Sequence, residues 1–336
     1  MSTAKSGMRK IALKAGVSIA TVSRVLNDSS KVSRDTRERV LDVMEHSGYR
    51  LNAAAKALAT NRSRTIAAII PTLEHSIFAV FLNAIEDQLA RAGYGLVIAT
   101  HGFDKDTETR RCNEVLRLGA EGIILSGTDH DETFLNTVNM SGVPILFTSV
   151  YQPKSLYPSF GYDNRALASQ AINYLSQLGH RTIKVLHGSY INNDRMRLRV
   201  EGIKSAAHTL GDVTITLEEV PLCVNGGSSA TQRWVAEKSL PDACLCLADV
   251  LALGVIFESH HQGINIPDEL SVMGFEDLDW AASCSPTLTT IALPAVEMGR
   301  QAASAMVNCL DHNTRLEHRL FAAEIVERQS TSTRIP

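Results

Sequence analysis

The sequence predicts a small all-α head followed by an α/β body of two lobes, and three observations lead to that class. Charge is divided along the chain: residues 1–64 hold 13 Lys and Arg against 5 Asp and Glu, the remainder 20 against 31, within a total of −3. The head carries short apolar stripes at helical spacing around Gly16. From Thr65 onward, short apolar runs alternate with amphipathic stretches of helical length. At 336 residues the chain exceeds one ordinary domain. We divide it into a head at 1–51, a linker at 52–64 and a body at 65–336.

In the head, Arg9–Ala15 reads as a helix with Ile11, Ala12 and Ala15 on one face. Gly16 suits the left-handed position of a tight turn. Ser18 is placed to cap a second helix, Ile19–Asn27, which turns Val22, Val25 and Leu26 inward and Ile19, Ala20, Ser23, Arg24 and Asn27 outward. A third helix starts at Ser33, has Asp35 in its first turn, uses Val40, Val43 and Met44 as its apolar face and ends at Gly48. Two helices joined by a Gly turn and backed by a third make a helix-turn-helix, whose second helix would enter a major groove. A three-helix bundle without a ligand fits the same pattern. The net +8 of the head favours a polyanion. Asn52–Ala59 is rich in helix formers yet too short to be helical alone, so it is a helix that folds when docked or a plain linker.

The run Ala15-Gly16-Val17-Ser18-Ile19-Ala20-Thr21-Val22-Ser23-Arg24-Val25-Leu26-Asn27, then Val32-Ser33, Gly48-Tyr49, Asn52 and Ala55-Lys56-Ala57-Leu58, resembles the head of the lactose/galactose repressor (LacI/GalR) family. The resemblance implies that Ile19, Ala20 and Arg24 read bases, within a surface of Ser18, Ile19, Ala20, Thr21, Ser23, Arg24 and Asn27. It implies that the linker is a hinge helix, with Ala55 and Lys56 on DNA and Leu58 wedged into a minor-groove step. Leu51 stands where the family has Pro, Lys56 where it has Arg, and Lys10 where it has an acid. Lys56 keeps the charge of the usual Arg but not its planar fork.

In the body, Ile66–Ile70, Leu96–Ala99, Gly122–Ser126, Pro144–Phe147, Ile183–Leu186, Ala243–Leu247 and Leu270–Phe275 are apolar on both faces. Helical stretches such as Ile77–Ala92, Ala166–Leu178 and Arg199–Leu210 lie between them. Strands of that kind belong to parallel sheets buried between helix layers. The resemblance continues through Leu178-Gly179-His180-Arg181, Arg197-Leu198-Arg199, Ala248-Asp249 and Pro267 to Asp277. It implies a periplasmic-binding-protein-like body whose two lobes are crossed by three chain segments, with a small effector in the cleft at the strand ends. Carried over residue by residue, Arg199, Asp249 and Glu276 touch the effector, with Phe78 and Asp163 near the same cleft. The same side chains could instead be structural ion pairs.

Cys223 stands where relatives carry a stacking aromatic, which argues against a purine or a flat pyranose. Segments around His101, Ser126 and Asp163 lean towards gluconate-type repressors, and Arg199 suits a carboxylate bidentately. The expected effector is therefore a sugar acid or sugar. Asp249 and Glu276 weigh against an anion by charge.

No GxGxxG, P-loop, HExxH or GxSxG stands in context, so no enzyme and no cofactor are expected. Asp129-His130-Asp131 reads as a solvated loop, and no metal is expected. Cys244 and Cys246 share one side of a strand and read as core. The six cysteines form no CxxC, no run is apolar enough to span a membrane, and the start has no secretory h-region. A cytoplasmic homodimer on a two-fold DNA operator is expected, since one recognition helix reads only a few base pairs. A transport-type binding protein would explain the body but not the basic head. An α/β enzyme would need a constellation that is missing.

Overall fold

A computed structural model of the chain describes residues 3–27, 32–47, 57 and 62–334. Ala55, Lys56 and Leu58, with most of the expected hinge, lie outside them. Contacts divide the chain into two units, Met1–Arg64 and Thr65–Pro336.

The described residues of the first unit include the helices α1 (Thr3–Ala15), α2 (Ile19–Asn27) and α3 (Arg34–His46). The first begins six residues before Arg9. Gly16 takes φ +64°, and Val17 N–H reaches back to Ala12 O at 3.0 Å, which closes α1 and turns the chain. Ser18 Oγ accepts from Thr21 N–H at 3.0 Å and so caps α2. At α3 the Ser33 hydroxyl bonds Thr36 Oγ1 instead of a backbone amide. Ile11, Ala12, Ala15, Val22, Val25 and Val40 form the core, with Val43 and Met44 packed against it. Each larger apolar side chain there contributes about 1.5–3 kcal/mol by leaving water.

The second unit has two parallel sheets. The first lobe runs β1 (Thr65–Ile70), α4 (Ser76–Arg91), β2 (Gly95–Thr100), α5 (Lys105–Arg117), β3 (Gly122–Ser126), α6 (Glu132–Ser141), β4 (Ile145–Thr148), β5 (Ser159–Gly161). The second runs α7 (Asn164–Gln177), β6 (Thr182–His187), α8 (Asp194–Ala207), β7 (Thr214–Glu219), α9 (Val224–Ala236), β8 (Ala243–Cys246), α10 (Asp249–Gln262), β9 (Ser271–Met273). The chain then passes through β10 (Thr290–Ala292) to α11 (Ala295–His312), which packs on α4 of the first lobe. After β11 (Arg319–Leu320) on the first sheet, it returns through β12 (Glu324–Val326) to Ser330, bonded to Val272 of the second.

The sheet orders are β11-β5-β4-β3-β1-β2 and β7-β6-β8-β9, and β10 pairs antiparallel with β12. The chain thus crosses between lobes near 161–164, 290–295 and 321–326. One apolar core spans both lobes, from Ile66, Ile85 and Ile124 to Val185, Leu245 and Met273. The strands foreseen from apolar runs are present, each end within one or two residues, and the last is reduced to Ser271–Met273. The short crossing strands and the polar edge strand Thr214–Glu219 carry no such run. No helix among the described residues is long and apolar enough to cross a membrane.

Candidate functional sites

On the head, α2 presents a mixed surface. Ser18, Ile19, Ala20 and Arg24 are exposed, Thr21 and Ser23 are half-buried, and Asn27 ends the helix. Ile19 is an exposed branched side chain beside a small Ala, on the opposite side from the buried Val22 and Val25. An apolar pair next to a guanidinium offers methyl contacts together with a fork of donors, the combination that base edges accept. The Ser18 hydroxyl also meets Thr21 Oγ1 at 2.9 Å, so both side chains are partly committed to starting the helix.

In the body, a cleft of about 600 Å³, its open mouth included, lies at the carboxyl ends of the strands of both sheets. His75 follows β1, Phe103 follows β2, Ser149 follows β4, Tyr162 follows β5, Ala248 follows β8 and Glu276 follows β9, and all six line it. Parallel strands leave their loops and helix N-termini at that edge, so polar side chains gather there while the sheets stay apolar.

Arg199 is the best-held polar group of the cleft. It is 6% exposed; its Nε donates to Asn164 Oδ1 at 3.0 Å and Nη1 to Leu247 O at 2.8 Å. The guanidinium lies 4.0 Å over the Phe275 ring, a cation–π contact that helps a buried charge. Glu276 shares the cleft. Burial first, and then the nearby Asp249 carboxylate, push its pKa up to about 8, against the opposing pull of Arg199. Its side chain is thus largely protonated at neutral pH and can donate a hydrogen bond.

Phe78, Arg199 and Glu276 line the cleft together, whereas Asp163 and Asp249 do not. Asp163 is exposed and caps α7, accepting from Ala166 N–H at 3.0 Å. Asp249 is fully buried, with Thr290 Oγ1 donating to it at 2.7 Å and Leu278 N–H at 2.9 Å. It ties the start of α10 to the loop after β9. Burial raises its pKa despite those donors.

Sequence reasoning missed Arg195, which also lines the cleft and is 8% exposed. It precedes Arg199 by one helical turn on α8, so the i,i+4 spacing was the available signal. Arg197, off that face, is partly exposed and pairs with Asp129 at 2.8 Å. An aromatic surface was missed too. His75 stacks on Phe78 with centroids 6.3 Å apart and lies 6.5 Å from Phe103, all from the first lobe. Burial holds the His75 pKa below its usual value. Cys223 is exposed and borders a side recess with Glu276, so its identity does not strip the cleft of aromatic rings.

The loop at His130 is another correction. Its side chain is 2% exposed and lies 3.0 Å from Glu108, because the loop folds back over the buried end of α5. Cys244 and Cys246 are core, their sulfurs 3.5 Å apart. No cluster of metal-binding side chains occurs among the described residues.

Comparison with known proteins agrees with both halves. The family model described as bacterial regulatory proteins, lacI family, matches residues 7–52, and that of a periplasmic binding protein-like domain matches residues 172–331. The HTH-type transcriptional repressor CytR of Escherichia coli (strain K12) is 30% identical over 332 residues, which cover 96% of each chain. A LacI-family transcriptional regulator from Silicibacter pomeroyi superposes with a TM-score of 0.86 at 25% identity, over 97% of this chain and 99% of the other. The lac repressor dimer bound to operator and the anti-inducer ONPF has the same fold, with a TM-score of 0.84 at 24% identity over 96% and 98%. The chain belongs to the LacI family of bacterial regulatory proteins, as a DNA-binding transcriptional repressor and not an enzyme.

Proposed function

We propose that this repressor takes a small sugar acid, such as an aldonate, in the cleft of its body, and that this ligand sets its affinity for a two-fold operator. The carrying observation is the charge of the cleft wall. Two guanidiniums, Arg195 and Arg199, line it, while its one carboxyl group, Glu276, is largely protonated and Asp249 is withdrawn behind the surface. The repulsion that two ionised carboxylates would exert on an anion is thereby relieved. A guanidinium takes a carboxylate through two parallel bonds, and a protonated Glu276 serves as donor or acceptor for hydroxyls. Tyr162, Asn193 and Ser149 add polar atoms for a polyol chain.

On the DNA side, Ser18, Ile19, Ala20, Thr21, Ser23, Arg24 and Asn27 form the reading surface, and Ala55, Lys56 and Leu58 act at the minor groove. A cytoplasmic homodimer supplies two such surfaces. The gluconate-type placement draws on the segments around His101 and Asp163, which bring Phe103 and Tyr162 to the cleft but leave His101 and Asp163 themselves outside its lining.

Calorimetry of the full chain with gluconate and with glucose tests the ligand. Binding of gluconate in the micromolar range or tighter, with glucose much weaker, is expected. Firm binding of glucose with none of gluconate overturns the acid and leaves the repressor.

A further inference from the structure

One wall of the cleft joins the lobes through a buried carboxylate, deeper than the partly exposed pair of Arg197 and Asp129. Asp194 opens α8 in the second lobe and is 3% exposed. Its Oδ2 accepts from the backbone N–H of Thr128 at 2.6 Å and from the Thr128 hydroxyl at 3.1 Å, both on the first lobe. Its Oδ1 accepts from Arg195, through the backbone N–H at 2.9 Å and Nη1 at 3.0 Å. Burial alone would raise its pKa; Arg195, then the two Thr128 donors, outweigh that and hold the carboxyl below its ordinary value.

The facing loop is shaped for this pair. Gly127 sits at φ +98°, and a Cβ there would lie 2.4 Å from Arg195 Nη1 and 2.9 Å from Asp194 Oδ1. His130 braces the loop from behind, its Nε2 3.2 Å from Gly127 O and its Nδ1 3.0 Å from Glu108. Asp194 is not simply the acid at a helix start. The cap of α8 is Asn193, whose Oδ1 accepts from Met196 N–H at 3.3 Å.

We propose that Asp194 is a positioning residue that couples charge in the cleft to closure of the lobes: one oxygen aims Arg195 into the cleft, the other grips Thr128 of the opposite lobe. The proposal rests on the sugar-acid reading above. A guanidinium has five donors, so Arg195 can hold an anion without releasing Asp194. Ligand carboxylate, Arg195, Asp194 and Thr128 then form an unbroken run of charge-assisted bonds. When the lobes part, Asp194 loses two donors and Arg195 loses its aim, so an anion binds better to the closed form and favours it.

Hydrogen exchange at the Thr128 amide of the full chain, with and without gluconate, tests this, using wild type and D194N. The carboxamide of D194N cannot accept at both oxygen positions, so Thr128 or Arg195 loses its partner. We expect Thr128 to exchange about tenfold faster or more in D194N, with amides of β3 and β6 unchanged. Gluconate should slow Thr128 in the wild type but not in D194N, and should bind D194N about tenfold more weakly or worse. If D194N does not fold, T128V, which removes only the hydroxyl donor, should show the same changes in smaller measure. Unchanged Thr128 exchange in D194N and also in D194A, which offers no acceptor in either orientation, overturns the grip on the opposite lobe. Equal gluconate affinity and equal slowing of Thr128 in both proteins overturn the coupling. Gluconate binding to neither, with Thr128 released by D194N, removes the coupling together with the sugar-acid reading while the lobe contact stands.

Discussion

The head's helix face and the body's cleft, the two surfaces proposed to take ligands, are built in opposite ways. The head's surface is one exposed helix face: Ile19, Ala20 and Arg24 lie within two turns and rest on a core of six small and branched residues. The cleft is assembled from loops after strands of two sheets, and its charged groups are nearly buried. A surface that must meet a polyanion can leave its cations in water, where they are steered by charge and screened by salt. In the cleft the cation is held instead: Arg199 carries a stacking ring and two acceptors of its own, as the proposed discrimination of a small solute would require.

Substitutions should separate the two regions. The largest effect is expected from Val22→Asp, which puts a carboxylate into the head's core at a cost of several kcal/mol. It should abolish DNA binding in a gel-shift assay while calorimetry with gluconate is unchanged; parallel loss of both would make the regions one cooperative unit. Next, Arg199→Lys keeps the charge but cannot reach Asn164 and Leu247 together. We expect gluconate affinity to fall about 10- to 100-fold, with free-state DNA affinity retained. A smaller shift belongs to Leu58→Ala, which should weaken operator binding about tenfold while random duplex is held as before. Equal loss on both duplexes would remove the hinge wedge.

The Glu276 carboxyl sets the cleft apart from the head through pH. Its folded pKa of about 8 lies above its ordinary value of 4.5. The folded state therefore keeps the proton longer than the unfolded one. The contribution is full below pH 4.5, declines as pH rises and is lost once pH passes about 8. Calorimetric melting between about pH 6 and pH 9 should show the wild type losing stability relative to E276Q, with gluconate affinity falling over the same range. Parallel curves for the two proteins would mean that Glu276 ionises normally. The smallest effect is expected from Ser18→Ala, about 1 kcal/mol in helix stability from the lost cap, seen as a modest drop in DNA affinity with none in the cleft.

The head was readable because its determinants are local. A left-handed Gly16, a capping Ser18 and apolar spacing of three and four fix two helices without help from distant residues. Of the body, the buried strands were readable from apolar runs, and the parallel class followed. The crossing strands were not, because three residues such as Ser159–Gly161 or Thr290–Ala292 carry no periodicity, and their pairing depends on residues far along the chain. The cleft was half-readable. Phe78, Arg199 and Glu276 line it, but Asp249 looked equally polar at a strand end and turned inward, because Leu278 in the loop after β9 and Thr290 at the start of β10 offer it donors. Arg195 was overlooked because its role depends on Asp194 and a glycine 68 positions earlier, which no local pattern reports.

On the proposed reading, a charged ligand in the cleft governs the DNA affinity of the head. The direct measurement is fluorescence anisotropy of the full chain on a two-fold duplex enriched from a random pool, titrated with gluconate and, separately, with glucose. Gluconate is predicted to shift Kd for the duplex by about tenfold or more, an ordinary coupling energy between two sites, and glucose to leave it unchanged. An unchanged Kd at gluconate concentrations shown by calorimetry to saturate the protein would mean that the cleft does not govern the head.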